Sequence, residues 1–191
     1  RLEAAGFGAV YFLARMVEHH GDTLEGKRIA VSGFGNMAWG VCRKAAQLGS
    51  KVVTLSGPDG YIYDAEGVTT DEKLEFLYQM RISGMNKVQP YAERFGVPFF
   101  ANKKPWEVSA DIVMPCAVEN EIGFEDAKRI IENGTTYYVE AANMPATNEA
   151  IRLLRSNSRI LCAGAKAAGS GGVIVSALEM AQNSLRYSWK R

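Results

Sequence analysis

A glycine-rich turn between a short apolar run and a helical pattern constrains this chain more than any other feature. The apolar run begins at Arg28, and the segment that follows it fits the pattern G-x-G-x-x-G/A. In this pattern the first glycine permits a tight turn, the second lets the backbone approach a pyrophosphate, and the final small residue allows the helix to pack closely on the strand. The free N–H groups of the helix would then face the phosphates. The sequence predicts a dinucleotide site here, with a glycine turn that binds no ligand as the alternative; the segment is Gly33, Phe34, Gly35, Asn36, Met37 and Ala38.

Strand and helix patterns alternate along the rest of the chain. A helix is predicted over residues 3–19, and apolar strands begin near residues 28, 51, 112, 137 and 160. Helical segments are predicted between them, among them residues 36–48, 125–133 and 148–156, and a last helix is predicted over residues 173–187. This alternation predicts an α/β fold, a doubly wound and mostly parallel sheet with helices on both faces. One domain over residues 1–191 is expected, with the first helix packed on it. Residues 51–56 are predicted as one strand and residues 71–81 as a helix, but the alternation is loose between residues 57 and 105.

Charge and cysteine content exclude several classes of function. The 22 basic and 21 acidic residues leave a net charge of +1, so neither nucleic acid nor a membrane surface is an expected partner. No apolar run approaches the roughly 20 residues of a membrane span, and no leader pattern is recognised, so a cytoplasmic protein is expected. The cysteines Cys42, Cys116 and Cys162 form no C-x-x-C pair and lie far from any histidine. They are predicted to be small buried hydrophobes, and no metal site is expected.

Asp59 is the acidic residue that could select the cofactor. It follows Ala38 by about 20 residues, the spacing of the carboxylate that binds an adenosine ribose 2′-OH. A carboxylate in that place would repel a 2′-phosphate, which favours NAD over NADP. Asp59 also follows Ser56-Gly-Pro, so a role within that turn is the alternative. The nearest cations, Lys51 and Arg81, do not have the spacing of a phosphate-binding arginine.

Six strings spread over essentially the whole chain resemble the small-subunit glutamate dehydrogenases. They begin at Arg1, Gly33, Ser56, Pro115, Ala142 and Lys166: RLEAAGFG, GFGNMAWG, SGPDGYIYD, PCA, ANMP and KAAGSGGVIVS. The resemblance implies a Rossmann-like domain that holds NAD(P) across a cleft from another domain, with hydride moving between nicotinamide and the Cα of glutamate. In the family pattern the catalytic lysine and aspartate precede Arg1. The chain is therefore expected to hold no catalytic residue, to be inactive alone, to bind glutamate only with the other domain, and to be a monomer or weak dimer.

Three departures from the family pattern cluster at the reactive end of the cofactor. The chain has Ala5 where the family has threonine, Ala117-Val-Glu-Asn120 where it has Ala-Thr-Gln-Asn, and Gly169 where it has the asparagine that binds the nicotinamide carboxamide. The resemblance places Ala117, Asn143 and Gly169 by the cofactor. Adenine-end binding is thus expected to survive better than orientation of the nicotinamide. For Asn143, a role in the turn that Pro145 prepares is the alternative.

The resemblance also places Val173 and Ser176 in the pocket for the substrate side chain, on one face of the last helix. The alternative is an amphipathic helix whose Val173, Ala177 and Met180 pack on the sheet.

A second hypothesis is a stand-alone scaffold or binding module, such as a redesigned variant, without enzymatic activity; the altered nicotinamide-side residues favour it. Leucine, valine and phenylalanine dehydrogenases share the general architecture, but SGPDGYI from Ser56 and ANMP from Ala142 are more similar to the glutamate enzymes.

Overall fold

Five parallel strands form the main sheet of this computed structural model, which describes residues 2–189. These strands are β1 Arg28–Val31, β2 Lys51–Val52, β6 Ile112–Met114, β7 Tyr137–Val139 and β8 Leu161–Ala163. They lie in the order β2-β1-β6-β7-β8, with Ile29 paired to Val52 on one side and to Ile112 on the other. The predicted parallel α/β sheet is confirmed. Arg1 and the last two residues lie outside the described part of the chain, so the domain bounds 1–191 are described only from 2 to 189.

Helices follow most of the predicted segments. Their bounds are α1 Ala4–His19, α2 Asn36–Gln47, α3 Asp71–Ile82, α4 Gln89–Phe95, α5 Phe124–Glu132, α6 Asn148–Ser156, α7 Ala165–Ala168 and α8 Ser170–Ser184. Two of them begin at a threonine that caps the first turn: the Thr70 hydroxyl accepts from the Lys73 N–H and the Thr147 hydroxyl from the Ala150 N–H. The last helix starts at Ser170, earlier than the sequence pattern predicted, and ends at Ser184.

The sheet buries both of its faces. Along β1, Ile29 and Val31 belong to one core with residues of α1 and α2, whereas Ala30 between them belongs to a second core with residues of α5 and α6. Alternate side chains of a strand point to opposite faces, so the helices cover the sheet on both sides. This is the doubly wound arrangement that the alternation predicted.

A second sheet, which the sequence did not predict, lies between residues 54 and 101. Its strands β3 Thr54–Gly57, β4 Gly60–Tyr63 and β5 Phe99–Ala101 pair antiparallel in that order. The single strand predicted over residues 51–56 is therefore wrong, because the chain leaves the parallel sheet after Val52 and turns back at Pro58 and Asp59. The Thr54 hydroxyl accepts from the Val31 N–H and donates to the Val31 carbonyl, which fixes β3 beside the end of β1.

Candidate functional site

The glycine turn after β1 is held by hydrogen bonds to the end of β3. Gly33 has φ +77°, a left-handed conformation that favours glycine. A Cβ on Gly33 would lie 3.3 Å from the Cα of Ala117, and the Gly33 N–H donates to the Ser56 hydroxyl at 2.9 Å. The turn therefore needs glycine for its own geometry. Ser56 is a supporting residue that the sequence pattern alone did not reveal.

Gly35 faces open space at the start of α2. It is the N-cap of that helix with φ −79°, and no side chain caps the first turn. A Cβ on Gly35 would meet no atom within 4 Å. The first N–H groups of a helix have no partner inside the helix, so those that follow Gly35 are available to an anion. The residues present thus fit a pyrophosphate, because the backbone donors and the room in front of them coincide. Ala38, one turn into α2, is fully buried in the core.

A pocket of about 580 Å³ opens beside Gly33, Phe34 and Gly35; we call it the turn pocket. The end of β3 forms another wall through Ser56, Gly57 and Pro58. Its rim holds three cations that the site prediction omitted: Arg81, Lys103 and Lys104. Lys103 pairs with Glu107 at 3.1 Å and Lys104 with Asp126 at 3.0 Å, whereas the Arg81 guanidinium lies 5.0 Å above the Tyr78 ring.

A second pocket, of about 760 Å³, lies between the carboxyl ends of the strands and α8; we call it the α8 pocket. It brings together residues that lie far apart in the sequence but were predicted to be near the nicotinamide or the substrate: Ala5, Ala117, Asn143, Gly169, Val173 and Ser176. Met37, predicted as part of the glycine turn, also lines it. The segment of Cys116, Ala117 and Val118 lines both pockets and forms the wall between them. Asn36 lines instead a smaller pocket of about 290 Å³ next to Ala5 and Ser176.

The face of α8 that carries Val173 is open. Val173 is 70% exposed and Met180 is 68% exposed, so the alternative in which these side chains pack on the sheet is wrong. Ser176 lines the α8 pocket and donates from its hydroxyl to the Gly172 carbonyl at 3.0 Å. Gly169 has φ −79°, a conformation that any residue adopts, but a Cβ there would lie 2.7 Å from the Ala165 carbonyl oxygen.

The backbone at the start of α4 donates hydrogen bonds to the side chain of Asp59. Its carboxylate accepts hydrogen bonds from the N–H of Val88 at 2.9 and 3.1 Å and from the N–H of Gln89 at 3.0 Å. It is not among the residues that line the turn pocket or the α8 pocket. The ribose role remains a prediction, and the carboxylate has a structural role that neither sequence interpretation included.

Glu121 places a carboxylate against the glycine turn. Its Oε1 accepts from the Ser32 hydroxyl at 2.8 Å and from the Ala117 N–H at 3.2 Å, and the Ser32 hydroxyl in turn accepts from the Cys116 N–H at 2.9 Å. Glu121 also lines the turn pocket. Burial raises the pKa of this carboxyl group, while the hydrogen bonds from Ser32 and the backbone and the charge of Lys104 act in the opposite direction. No motif in the sequence marks this residue.

The cysteines behave as packing residues. Cys42 and Cys116 are buried, which raises the pKa of both thiols, and Cys162 is half-buried with its pKa raised to about 11, also by burial. Among residues 2–189 no cluster of three or more His, Cys, Asp or Glu side chains could hold a metal ion. Over the same range, no helix is both long and apolar enough to cross a membrane.

Comparison with known proteins gives matches over the whole chain. The family model for glutamate/leucine/phenylalanine/valine dehydrogenases matches residues 1–191. The NAD-specific glutamate dehydrogenase of Clostridium symbiosum is 54% identical over 189 residues, which are 99% of this chain and 42% of that protein. The NADP-specific glutamate dehydrogenase of Haemophilus influenzae is 47% identical over 189 residues, again 99% and 42%.

Solved structures agree with these sequence matches. A glutamate dehydrogenase structure superposes with a TM-score of 0.97 at 54% identity, covering 100% of this chain and 42% of the other. Glutamate dehydrogenase of Plasmodium falciparum superposes with a TM-score of 0.93 at 38% identity, covering 100% and 41%. The chain thus spans less than half the length of the proteins that it matches.

Proposed function

This chain belongs to the glutamate/leucine/phenylalanine/valine dehydrogenase family, and from that premise we propose that it is the dinucleotide-binding domain of a glutamate dehydrogenase. The observation that carries the proposal is the uncapped start of α2 behind Gly33 and Gly35, with open space in front of Gly35. Backbone donors and the positive end of a helix dipole suit a pyrophosphate. The names of the relatives favour glutamate over the other substrates of the family.

Along this site the cofactor would lie across both pockets. Its pyrophosphate would bind at Gly33 and Gly35, its adenosine would extend toward Ser56 and Pro58 in the turn pocket, and its nicotinamide would enter the α8 pocket near Asn143. Val173 and Ser176 would then meet the side chain of the substrate. Hydride transfer is the chemistry that the nicotinamide would supply, and the residues that line the α8 pocket would surround its ring.

NAD is the proposed cofactor, in preference to NADP. Asp59, at the tip of the β3–β4 turn, adds negative charge near the adenosine end, which disfavours a 2′-phosphate. The relatives from Clostridium symbiosum and Bacteroides fragilis are named as NAD-specific, although the one from Haemophilus influenzae is named as NADP-specific. Arg81, which lines the turn pocket, opposes this preference, so the dissociation constants of NAD and NADP are the direct test. An equal or tighter value for NADP would remove Asp59 from this role.

The 191-residue chain is proposed to bind cofactor without oxidising glutamate. The resemblance assigns the catalytic lysine and aspartate to another domain, and glutamate would bind only with that domain present. Cofactor binding alone does not supply the proton transfers of the reaction. Turnover of NAD and glutamate by this chain above background would contradict the proposal.

Calorimetric titration with NAD and ADP-ribose, combined with sedimentation, tests the proposed function. We expect micromolar binding of both ligands by a monomer or weak dimer, with similar affinities because Ala5 and Gly169 offer the nicotinamide few polar contacts. Failure to bind either ligand, together with a defined oligomer, would support a scaffold without cofactor instead.

A further inference from the structure

Glu121 is an acidic group in a pocket proposed to receive a polyanion. Its Oε1 is 2.8 Å from the hydroxyl of Ser32, the residue before Gly33, and 3.2 Å from the N of Ala117. Ala117 itself lies so close to the turn that a Cβ on Gly33 would be 3.3 Å from its Cα. The carboxylate therefore stands directly behind the backbone that would bind the pyrophosphate, and it lines the same pocket.

The groups around Glu121 do not neutralise it fully. Lys104 donates to the Glu121 carbonyl oxygen at 2.6 Å, but its ammonium also pairs with Asp126 at 3.0 Å. Lys103 and Arg81 also line the pocket, and Lys103 is paired with Glu107. The titratable neighbours on the sheet are Cys116 and Tyr138, and both are kept neutral because burial and the charge of nearby carboxylates raise their pKa values.

From this arrangement, and resting on the proposed function, we infer that binding of a dinucleotide at the glycine turn is accompanied by uptake of a proton on Glu121. A pyrophosphate brings two negative charges next to a carboxylate that is already half-buried, and like charges favour the neutral form. The proton comes from the buffer and binds a carboxylate oxygen of Glu121. The neutral acid keeps an oxygen that accepts from Ser32 and Ala117.

This coupling has a definite sign. Burial already raises the pKa of Glu121 in the free protein, and the bound pyrophosphate raises it further. A ligand that raises a pKa binds more tightly below that pKa, so affinity falls as pH rises through the two values. Each unit of difference between the bound and free pKa is a tenfold change in affinity.

The test is calorimetric titration of the 191-residue chain with ADP-ribose, whose pyrophosphate keeps its charge over the range used. Titrations at each pH in two buffers of different ionisation enthalpy give the number of protons taken up. We expect net proton uptake and a dissociation constant at least about threefold larger at pH 8.5 than at a pH below both pKa values of Glu121, that is, a difference of about half a unit or more between the bound and free pKa.

Glu121→Gln keeps the shape and removes the titration. This variant should take up no proton, bind with the same affinity at both pH values, and bind more tightly than the parent at pH 8.5. Glu125→Gln is the matched control. It removes the same charge four residues further along the chain, from an exposed carboxylate that pairs with Lys128. It should keep the parental proton uptake and pH dependence.

Ser32→Ala supplies an independent variant. The hydroxyl stabilises the carboxylate, so its loss should move the midpoint of the pH dependence to higher pH, a shift that loss of packing alone would not produce. Proton uptake that survives in Glu121→Gln would belong to another group and would overturn the inference.

Binding of ADP-ribose by the parent without proton uptake, or an unmoved midpoint in Ser32→Ala, would overturn it equally. Absence of any ADP-ribose binding would instead contradict the proposed function itself.

Discussion

Replacing Gly33 and Gly35 separately by alanine should separate a glycine that the fold needs from one that the ligand needs. Gly33 has φ +77°, and a Cβ there would contact the backbone of Cys116 and Ala117 at 3.3 Å. A left-handed conformation costs a residue other than glycine about 1–2 kcal/mol, and the tight contacts add to that. Gly33→Ala should therefore lower the free energy of unfolding by about 1–3 kcal/mol, which leaves a typical domain folded.

Gly35→Ala should leave the fold almost unchanged. Gly35 has φ −79° and ψ −163°, which alanine adopts freely, and its added Cβ would meet nothing within 4 Å. The change in the free energy of unfolding should stay within about 0.5 kcal/mol. The same Cβ would occupy the space through which a pyrophosphate approaches the backbone. ADP-ribose affinity should therefore fall at least tenfold, which corresponds to about 1.4 kcal/mol.

Urea denaturation of the parent and of both variants measures their free energies of unfolding. An unchanged m-value would show that a shift of the midpoint reports a change in stability. Calorimetric titration with ADP-ribose measures the affinities. The reasoning about open space would be refuted by a Gly35→Ala variant that loses as much stability as Gly33→Ala. Unchanged ADP-ribose affinity in Gly35→Ala would show that no pyrophosphate crosses at that position.

Four further predictions concern positions outside the glycine turn. Ala5→Thr should tighten NAD but not ADP-ribose by about 0.5–1.5 kcal/mol if one neutral hydrogen bond forms; calorimetry with both ligands decides, and an equal change in both would place Ala5 away from the nicotinamide. Gly169→Asn should lower the urea midpoint, since its Cβ would lie 2.7 Å from a backbone oxygen, and an unchanged midpoint would mean that the turn between α7 and α8 relaxes. Lys73→Met should cost about 3 kcal/mol of stability in urea, because it leaves the Asp64 carboxylate, 2% exposed, without the ammonium at 2.6 Å; a loss under about 1 kcal/mol would contradict this. Burial raises the pKa of the Glu121 carboxyl group above its ordinary value, so the contribution of this group to stability is present below the ordinary pKa and is lost as pH rises through the raised one. Glu121→Gln should therefore be more stable than the parent at alkaline pH. Urea midpoints that show the variant less stable there would contradict this direction.

Local patterns predicted the elements whose formation depends on nearby residues. The turn at Gly33 and the start of α2 at Asn36 were predictable because the need for a left-handed glycine and a free helix end is encoded within six residues. The helix Asn148–Ser156 was predicted with its bounds, since Thr147 caps it and its apolar positions repeat at helical spacing.

The second sheet was not predictable in the same way. Its strand Phe99–Ala101 has three residues and pairs with Gly60–Ile62 across a long stretch of intervening chain. A segment this short has no periodicity of its own, and its partner is chosen by tertiary contacts. For the same reason the bonds from Val88 and Gln89 to Asp59 could not be predicted before the position of α4 was known.

The site followed this division. Gly33 and Gly35 in the turn pocket were predicted from a motif, whereas Glu121 and Arg81 line it from segments with no recognisable spacing. Their positions in the pocket depend on where β6 and α3 end in the folded chain, which the sequence pattern does not show.

Because Cys116, Ala117 and Val118 form a wall between the two pockets, a dinucleotide bound as proposed would be a bivalent ligand for this domain. Once one nucleotide of the cofactor is bound, the short pyrophosphate link keeps the other nucleotide at an effective concentration on the order of millimolar. A nicotinamide arm too weak to bind alone can therefore still occupy the α8 pocket for much of the time. The two nucleotides of the cofactor, offered as separate molecules, would not reproduce that occupancy, because the connecting pyrophosphate supplies it.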